Sequence, residues 1–192
     1  MRFSLIEIRD IIIATLALAF IFGGIDSFFI SLFAVGITFL GHELLGHKLV
    51  AQYLGSDAEF RMWPFGLLLG VITGLLPFGI IFAAPGAVYI SHYVRKRIGI
   101  RYFLRNRDGM IAAAGPAVNI IIGMAFLYLL SSYDMGQFTG LITITAKISF
   151  FLALFNLLPF PPLDGSKVFR WSKVVWLFMI WFAFFGYMPF NA

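Results

Sequence analysis

Long apolar segments alternate with short polar stretches along this chain of 192 residues. A bilayer core about 30 Å thick requires roughly 20 apolar residues in a helix. Five segments approach that length, and they cover residues 11–24 (extended by Ile8), 28–55, 109–130, 141–158 and 174–188. The pattern therefore predicts a membrane protein built from several spanning helices.

A sixth apolar stretch, from Pro64 to Ile90, is interrupted throughout by glycine and proline. These residues disfavour one continuous helix, so strands, a re-entrant loop and a helical hairpin all remain open. No internal repeat or linker divides the chain. The predicted fold is an all-α, polytopic transmembrane bundle of about five to six spans, with a possible short strand or re-entrant segment between residues 57 and 90. It forms a single integral membrane domain over residues 1–192.

Basic residues test this layout, because the cytosolic loops of membrane proteins carry an excess of lysine and arginine. If Arg2 and Arg9 are cytosolic, successive crossings put every lysine and arginine except Lys147 on the cytosolic side. The basic run at residues 95–107 meets this rule only if residues 64–90 cross the membrane an even number of times or not at all. The expected topology therefore has a cytosolic N-terminus.

Composition agrees with lipid as the solvent. The chain is 61% hydrophobic and 12% charged, with a mean hydropathy of +0.95, whereas soluble domains carry about 25% charged residues. The absence of cysteine excludes disulfides and thiolate metal sites. The net charge of +5 comes largely from the basic run, which serves as a topological anchor near anionic lipid head groups. We therefore expect the lipid bilayer as a partner and no nucleic acid.

Ionisable residues in apolar segments are costly and indicate function. His42, Glu43 and His47 fall late in the second span, and Asp164 follows the fourth. In the expected topology both groups approach the cytosolic side. Two imidazoles and two carboxylates at one depth favour a three-ligand metal site with a general base. The alternative, that His42 and Glu43 only form hydrogen bonds between helices, does not explain the matching depth.

Three motifs resemble signatures of the site-2 protease family of intramembrane zinc metalloproteases (peptidase M50). They are HELLGH from His42, AAAGPAVN at 112–119 and NLLPFPPLDG at 156–165. AEFRMWPFG (58–66) and FAAPGAVYIS (82–91) are similar to small prokaryotic, archaeal-type members. The resemblance covers about residues 28–170 and implies a prokaryotic cell membrane as the location.

The resemblance also implies roles for individual residues. His42, His47 and Asp164 would bind one Zn²⁺ per chain, and Glu43 would activate the water. Asn156 and Asn119 would lie near the site, where they hold substrate or orient the core helices. The implied activity is endopeptidase cleavage of membrane proteins in or near their transmembrane helices, with the active site towards the cytosol. A helical substrate must unwind locally before cleavage, and the segment at residues 58–74 is expected to offer a strand edge that holds it extended.

The spacing of the two histidines departs from the family pattern. The family has HExxH, whose histidines are four residues apart, whereas His42 and His47 are five apart. At about 100° per residue, five residues leave the side chains roughly 140° apart on a regular helix, too far for one metal. A π-bulge absorbs one extra residue and is favoured at functional sites. We therefore predict a π-bulge between His42 and His47.

Two other functions remain open from the sequence. On a straight helix Glu43 and His47 would share a face, so that Glu43 becomes a ligand and no base remains. The chain would then be a catalytically silent relative that binds membrane helices. A small ion or metal transporter would use the buried histidines and carboxylates as an ion path, but the chain lacks the inverted repeats common in transporters.

Overall fold

The structure is a computed structural model that describes residues 3–76, 81–91 and 100–190, with side chains omitted for residues 100–105. In chain order the elements are helices α1 (Leu5–Gly23) and α2 (Phe28–Leu40), a π-helix (Gly41–Lys48), α3 (Leu49–Tyr53), strand β1 (Asp57–Met62), α4 (Pro64–Leu75), β2 (Gly86–Ser91), α5 (Ile100–Ser132), α6 (Thr139–Asn156), α7 (Asp164–Trp171) and α8 (Lys173–Tyr187), with 3-10 turns at Gly136–Phe138 and Met188–Phe190.

Four described helical segments are long and apolar enough to cross a membrane: Phe28–Tyr53, Asn106–Ser132, Gly136–Asn156 and Lys173–Phe190. Helix α1 is 19 residues long and contains most of the first predicted span, residues 11–24. It is not one of these four segments, and its first two turns carry Glu7, Arg9 and Asp10. The predicted all-α polytopic bundle is confirmed. Within the described part of residues 64–90, the helix that forms is α4, which has 12 residues and reaches only about 18 Å.

The stretch that the sequence left open folds as strand, helix and strand. Strands β1 and β2 pair antiparallel, in register from Asp57 opposite Ser91 to Met62 opposite Gly86. Because the two ends of the segment are hydrogen-bonded together, the chain between them returns to the level at which it started. Of the alternatives left open, the strand is therefore formed, while re-entry into the membrane and the number of crossings stay predictions.

Local chemistry sets the element boundaries near the site. Helix α1 begins after Ser4, whose Oγ accepts the Glu7 N–H at 3.1 Å. Helix α6 ends at Asn156, where the following Pro159, Pro161 and Pro162 lack the N–H groups that would continue it. Irregular backbone at membrane depth requires protein or water around it. The prolines thus create an opening beside the bundle core.

Helix α5 lies at the centre of the bundle, where it packs against α6, the π-helix, α7 and α8. Its Ile111 is buried, and so are Val168 of α7 and Ala153 of α6. In contrast, α8 presents large apolar side chains such as Leu177 and Trp181 outward, as a lipid-facing helix does. The polar side chains described below are thus held in the interior by α5.

Candidate metal centre

The π-helix at Gly41–Lys48 confirms the distortion that the histidine spacing predicts. Widening the turn brings the fifth residue back over the first, so both imidazoles face the same point. The Nε2 atoms of His42 and His47 lie 3.0 Å apart, and both side chains are buried. The straight-helix alternative, in which His42 points away, is therefore wrong.

Asp164, the first residue of α7, meets the two histidines from the opposite side. Its Oδ2 lies 2.9 Å from Nε2 of His47 and 3.5 Å from Nε2 of His42. Ligands of a tetrahedral zinc with bonds near 2.0–2.2 Å lie about 3.3 Å from one another. The three donor atoms thus already have the mutual spacing of a tetrahedral metal site.

Asp164 supplies the negatively charged donor of the group. Burial by itself raises the pKa of Asp164, but His47 and His42 in their protonated forms outweigh this and hold the pKa well below its usual range. A bound divalent cation in place of those protons would favour the ionised carboxylate in the same way. The group His42, His47 and Asp164 satisfies the geometric requirements for holding a metal ion.

The other nitrogen of each imidazole is also held. Nδ1 of His47 lies 2.8 Å from the carbonyl oxygen of Ile111, so it donates and leaves Nε2 free to bind metal. Nδ1 of His42 lies 3.0 Å from Nδ2 of Asn119, while Oδ1 of Asn119 has no hydrogen-bond partner among the described residues. With the Asn119 amide turned by 180°, Oδ1 would accept a hydrogen bond from Nδ1–H of His42, and Nε2 of His42 would be left for a metal in the same way.

Glycines allow α5 to approach the π-helix closely enough for this arrangement. A Cβ on Gly115 would collide with both imidazole rings, and a Cβ on Gly46 would collide with the backbone of Gly115. A third glycine, Gly165, packs its Cα against the Leu157 carbonyl with no room for a side chain. The metal centre therefore occupies a space that larger residues at these positions would fill.

Glu43 stands apart from the three metal-binding candidates. It is buried, and its Oε2 has no hydrogen-bond partner in the described part of the chain. An unsatisfied buried carboxylate oxygen is costly and is expected where a water or substrate completes it. Glu43 is thus not part of the three-residue donor group, and its Oε2 is open to a further partner.

The centre opens into a cavity of about 680 Å³. One wall is strand β2, and another is formed by Asn156, the proline-rich loop and α7 with Lys167 and Arg170. The Asn156 amide donates to the Leu152 carbonyl at 2.9 Å on its own helix. The two asparagines therefore lie in different places, with Asn156 on the cavity wall and Asn119 against His42.

Several features of this region were not predicted from the sequence. Gly115 and the Ile111 carbonyl were missed, although the motif AAAGPAVN marked their surroundings. Lys48, counted among the cytosolic basic residues, is completely buried beside Glu7. The basic residues at 95–97 lie outside the described residues.

Comparisons with known proteins agree with the geometry. The model of the family "Peptidase family M50" matches residues 131–174. A Methanocaldococcus jannaschii protein named "Putative zinc metalloprotease MJ0611" is 42% identical over 192 residues, covering 97% of this chain and 95% of the relative. A Bacillus subtilis protein named "Putative zinc metalloprotease YwhC" is 33% identical over 144 residues, covering 69% of this chain and 64% of that protein. No solved structure gives a significant match.

Proposed function

Because the chain belongs to peptidase family M50, we propose that it is an intramembrane zinc endopeptidase, which cleaves membrane proteins in or near their transmembrane segments. One observation carries the proposal. The π-helix brings His42 and His47 together with Asp164, beside a Glu43 oxygen that has no hydrogen-bond partner among the described residues.

Zinc fits this donor set. Both relatives are named as zinc metalloproteases, and two imidazoles with one carboxylate leave the fourth tetrahedral position open, as in catalytic zinc sites. When bound, zinc would supply the Lewis acidity that makes water a nucleophile near neutral pH and polarises the peptide carbonyl. His42, His47 and Asp164 would hold one ion per chain.

Glu43 would act as the general base. It would take a proton from the attacking water and return it to the leaving amine. Its position on the cavity wall and its Oε2, which has no hydrogen-bond partner among the described residues, support this role. Asn156, on the cavity wall, would bind the substrate backbone, while Asn119 would orient His42.

A helical substrate must unwind locally, because its carbonyls are otherwise hidden in helix hydrogen bonds. A strand edge is suited to hold the unwound segment. The sequence suggested residues 58–74 for this edge, but β2 is better placed. The N–H groups of Phe60 and Met62 point away from β2, towards α1, so their partners Val88 and Gly86 direct their backbone groups to the outer edge of β2. Residues 86–90 of β2 line the cavity, which supports this placement of the substrate.

The proposed site lies towards the cytosolic face of a prokaryotic cell membrane. This rests on the distribution of basic residues. Cysteine labelling tests it cleanly, because the native chain has no cysteine. We expect a cysteine at position 101 to react from the cytosolic side, and cysteines replacing Asp26 or Asp134 to react from the other side. Labelling of position 101 only from outside would overturn the orientation.

The catalytically silent relative is the alternative that the site itself raises. This alternative was raised because the extra residue in HELLGH would separate the two histidines on a regular helix. The π-helix brings them together and so removes that objection. The transporter interpretation gains no specific observation. Zinc content together with cleavage separates an enzyme from a silent zinc-binding relative.

The decisive experiment uses the purified chain in proteoliposomes with a synthetic transmembrane peptide. We expect cleavage in or near the apolar segment, loss of cleavage on chelation, and recovery on adding zinc. Asp134→Asn, an exposed change in the loop between α5 and α6, is the matched control and should cleave normally. A protein that binds one zinc per chain but cleaves no transmembrane peptide would be the silent relative.

A further inference from the structure

A second buried ionic cluster lies directly beside the metal centre. Nζ of Lys48 lies 2.6 Å from both Oε1 and Oε2 of Glu7, and neither residue is exposed. Nζ also lies 4.0 Å from the ring centroid of Phe3, within cation–π range. Lys48 follows the metal-binding candidate His47 and is the last residue of the π-helix.

Glu7 connects this helix to the sheet. Its Oε1 also accepts the backbone N–H of Phe60 at 2.9 Å, so one carboxylate bonds to the π-helix and to β1 at once. Three residues later on α1, Oδ2 of Asp10 accepts the Met62 N–H at 3.3 Å. The carboxylates of α1 therefore accept from the outward N–H groups of β1. Among the described residues no third strand pairs with the outer edge of β2, which is where a peptide would bind.

Stability alone is a poor explanation for such a pair. Removing two charges from water costs about as much as their attraction returns, and apolar replacements are often neutral or better. A lysine in the interior of a membrane protein is costlier still and indicates function. What the pair does provide is a fixed distance between α1 and the π-helix, because the Lys48 ammonium group bonds to both carboxylate oxygens of Glu7 at once.

We propose that the Glu7–Lys48 pair positions the sheet relative to the metal-binding helix, so that a peptide on the β2 edge passes the metal centre at a fixed distance. The proposal rests on the proposed protease function for its substrate. The path of contact runs from His47 to Lys48, through Glu7 to Phe60, and across the sheet to Val88. Glu7 and Lys48 act as positioning residues and touch no substrate.

The test removes the charges while keeping the shapes. Glu7→Gln combined with Lys48→Met retains an oxygen for the Phe60 N–H and the length of the lysine, but removes the ionic link. The single variants are unsuitable alone, because each leaves a buried charge without its partner. Lys147→Met, which removes an exposed lysine from α6, is the matched control.

Two measurements distinguish a displaced sheet from an unfolded protein and from a loss of catalysis. The first is zinc content. The second is the distance distribution between spin labels on cysteines at the exposed positions Leu49 and Ser91, one at the end of the metal-binding helix and one on β2. Neither readout requires proteolysis, so failure of the protease assignment is recognised independently.

We expect the neutral double variant to keep one zinc per chain while the distance distribution broadens. Since a misplacement of about 1 Å can cost on the order of 100-fold in rate, kcat/KM should fall by roughly 10- to 100-fold, with a rise in KM. Lys147→Met should match the native protein in every readout. An unchanged distance distribution with unchanged KM would overturn the proposal. Loss of zinc together with the fold would also overturn it, because the pair would then serve folding alone.

Discussion

Two buried ionic clusters stand side by side in this bundle, joined by the peptide bond between His47 and Lys48. In the Glu7–Lys48 cluster each charge faces its counter-charge, and the Phe60 N–H bonds to the same carboxylate. In the metal centre two imidazole nitrogens and a carboxylate oxygen converge on one point, and an oxygen of Glu43 has no hydrogen-bond partner among the described residues. Both clusters are buried, but only the metal centre lines the cavity.

The difference shows how burial can serve two purposes. A buried charge with all its partners rigidifies its surroundings, whereas one lacking a partner is poised to receive a ligand. The π-helix ends with one residue of each cluster, His47 and Lys48, so the paired Glu7–Lys48 cluster can hold the metal centre in place. Substitutions that remove a metal-binding donor or break the buried ion pair test this comparison.

The largest effect is expected at the third metal-binding candidate. Asp164→Asn removes the only charged donor of the set, so zinc affinity should fall by more than the roughly 10- to 100-fold that loss of an outer hydrogen-bond partner costs. Zinc content after dialysis against a weak chelator measures this. Full zinc content and full activity in Asp164→Asn would show that another residue is the third ligand.

A smaller effect, on folding, is expected in the paired cluster. Lys48→Met alone leaves the Glu7 carboxylate buried without its counter-charge, which should lower the free energy of unfolding by about 3–5 kcal/mol. Adding Glu7→Gln should restore most of that loss. Unfolding in detergent by a chemical denaturant compares the two variants. Equal stability of the single variant and the native protein would mean that the pair is not closed to solvent.

The smallest effect is expected at the hydrogen bond behind His42. Asn119→Ala should weaken zinc binding by about 10- to 100-fold, because the imidazole loses the partner that fixes its orientation and tautomer. Asn119→Asp supplies an acceptor oxygen and should retain more of the affinity than Asn119→Ala. Competition with a chromogenic chelator gives the zinc dissociation constants of both variants. An unchanged dissociation constant for Asn119→Ala would show that Asn119 does not orient His42 for zinc binding.

The sequence predicts these features unequally, for physical reasons. Hydrophobic length fixes the spans, because a helix must match the bilayer, and α5 and α6 appear where the apolar segments indicate. The π-helix is predictable because two ligands five residues apart cannot otherwise reach one metal. Counting basic residues, however, treats every lysine as facing water. It could not show that Lys48 pairs with Glu7, which lies 41 residues away.

The strand edge illustrates the same limit. The sequence suggested residues 58–74, and β1 begins one residue before that range, at Asp57, and ends within it, at Met62. Which edge is free depends on α1, whose Glu7 and Asp10 bind the outward N–H groups of β1. Side-chain bonds between distant segments carry no periodicity, so hydrophobic patterns do not reveal them. The site residues were predictable because their chemistry is rare inside apolar segments.

The central claim is that Glu43 is a base beside the metal and is not one of its ligands. Glu43→Gln tests it directly, because the amide keeps the shape of the side chain and removes its ability to accept a proton. We expect zinc content to stay at one per chain while proteolysis of a transmembrane peptide falls by about 100- to 10,000-fold, the usual contribution of a general base. Loss of zinc together with activity would make Glu43 a ligand and contradict the account.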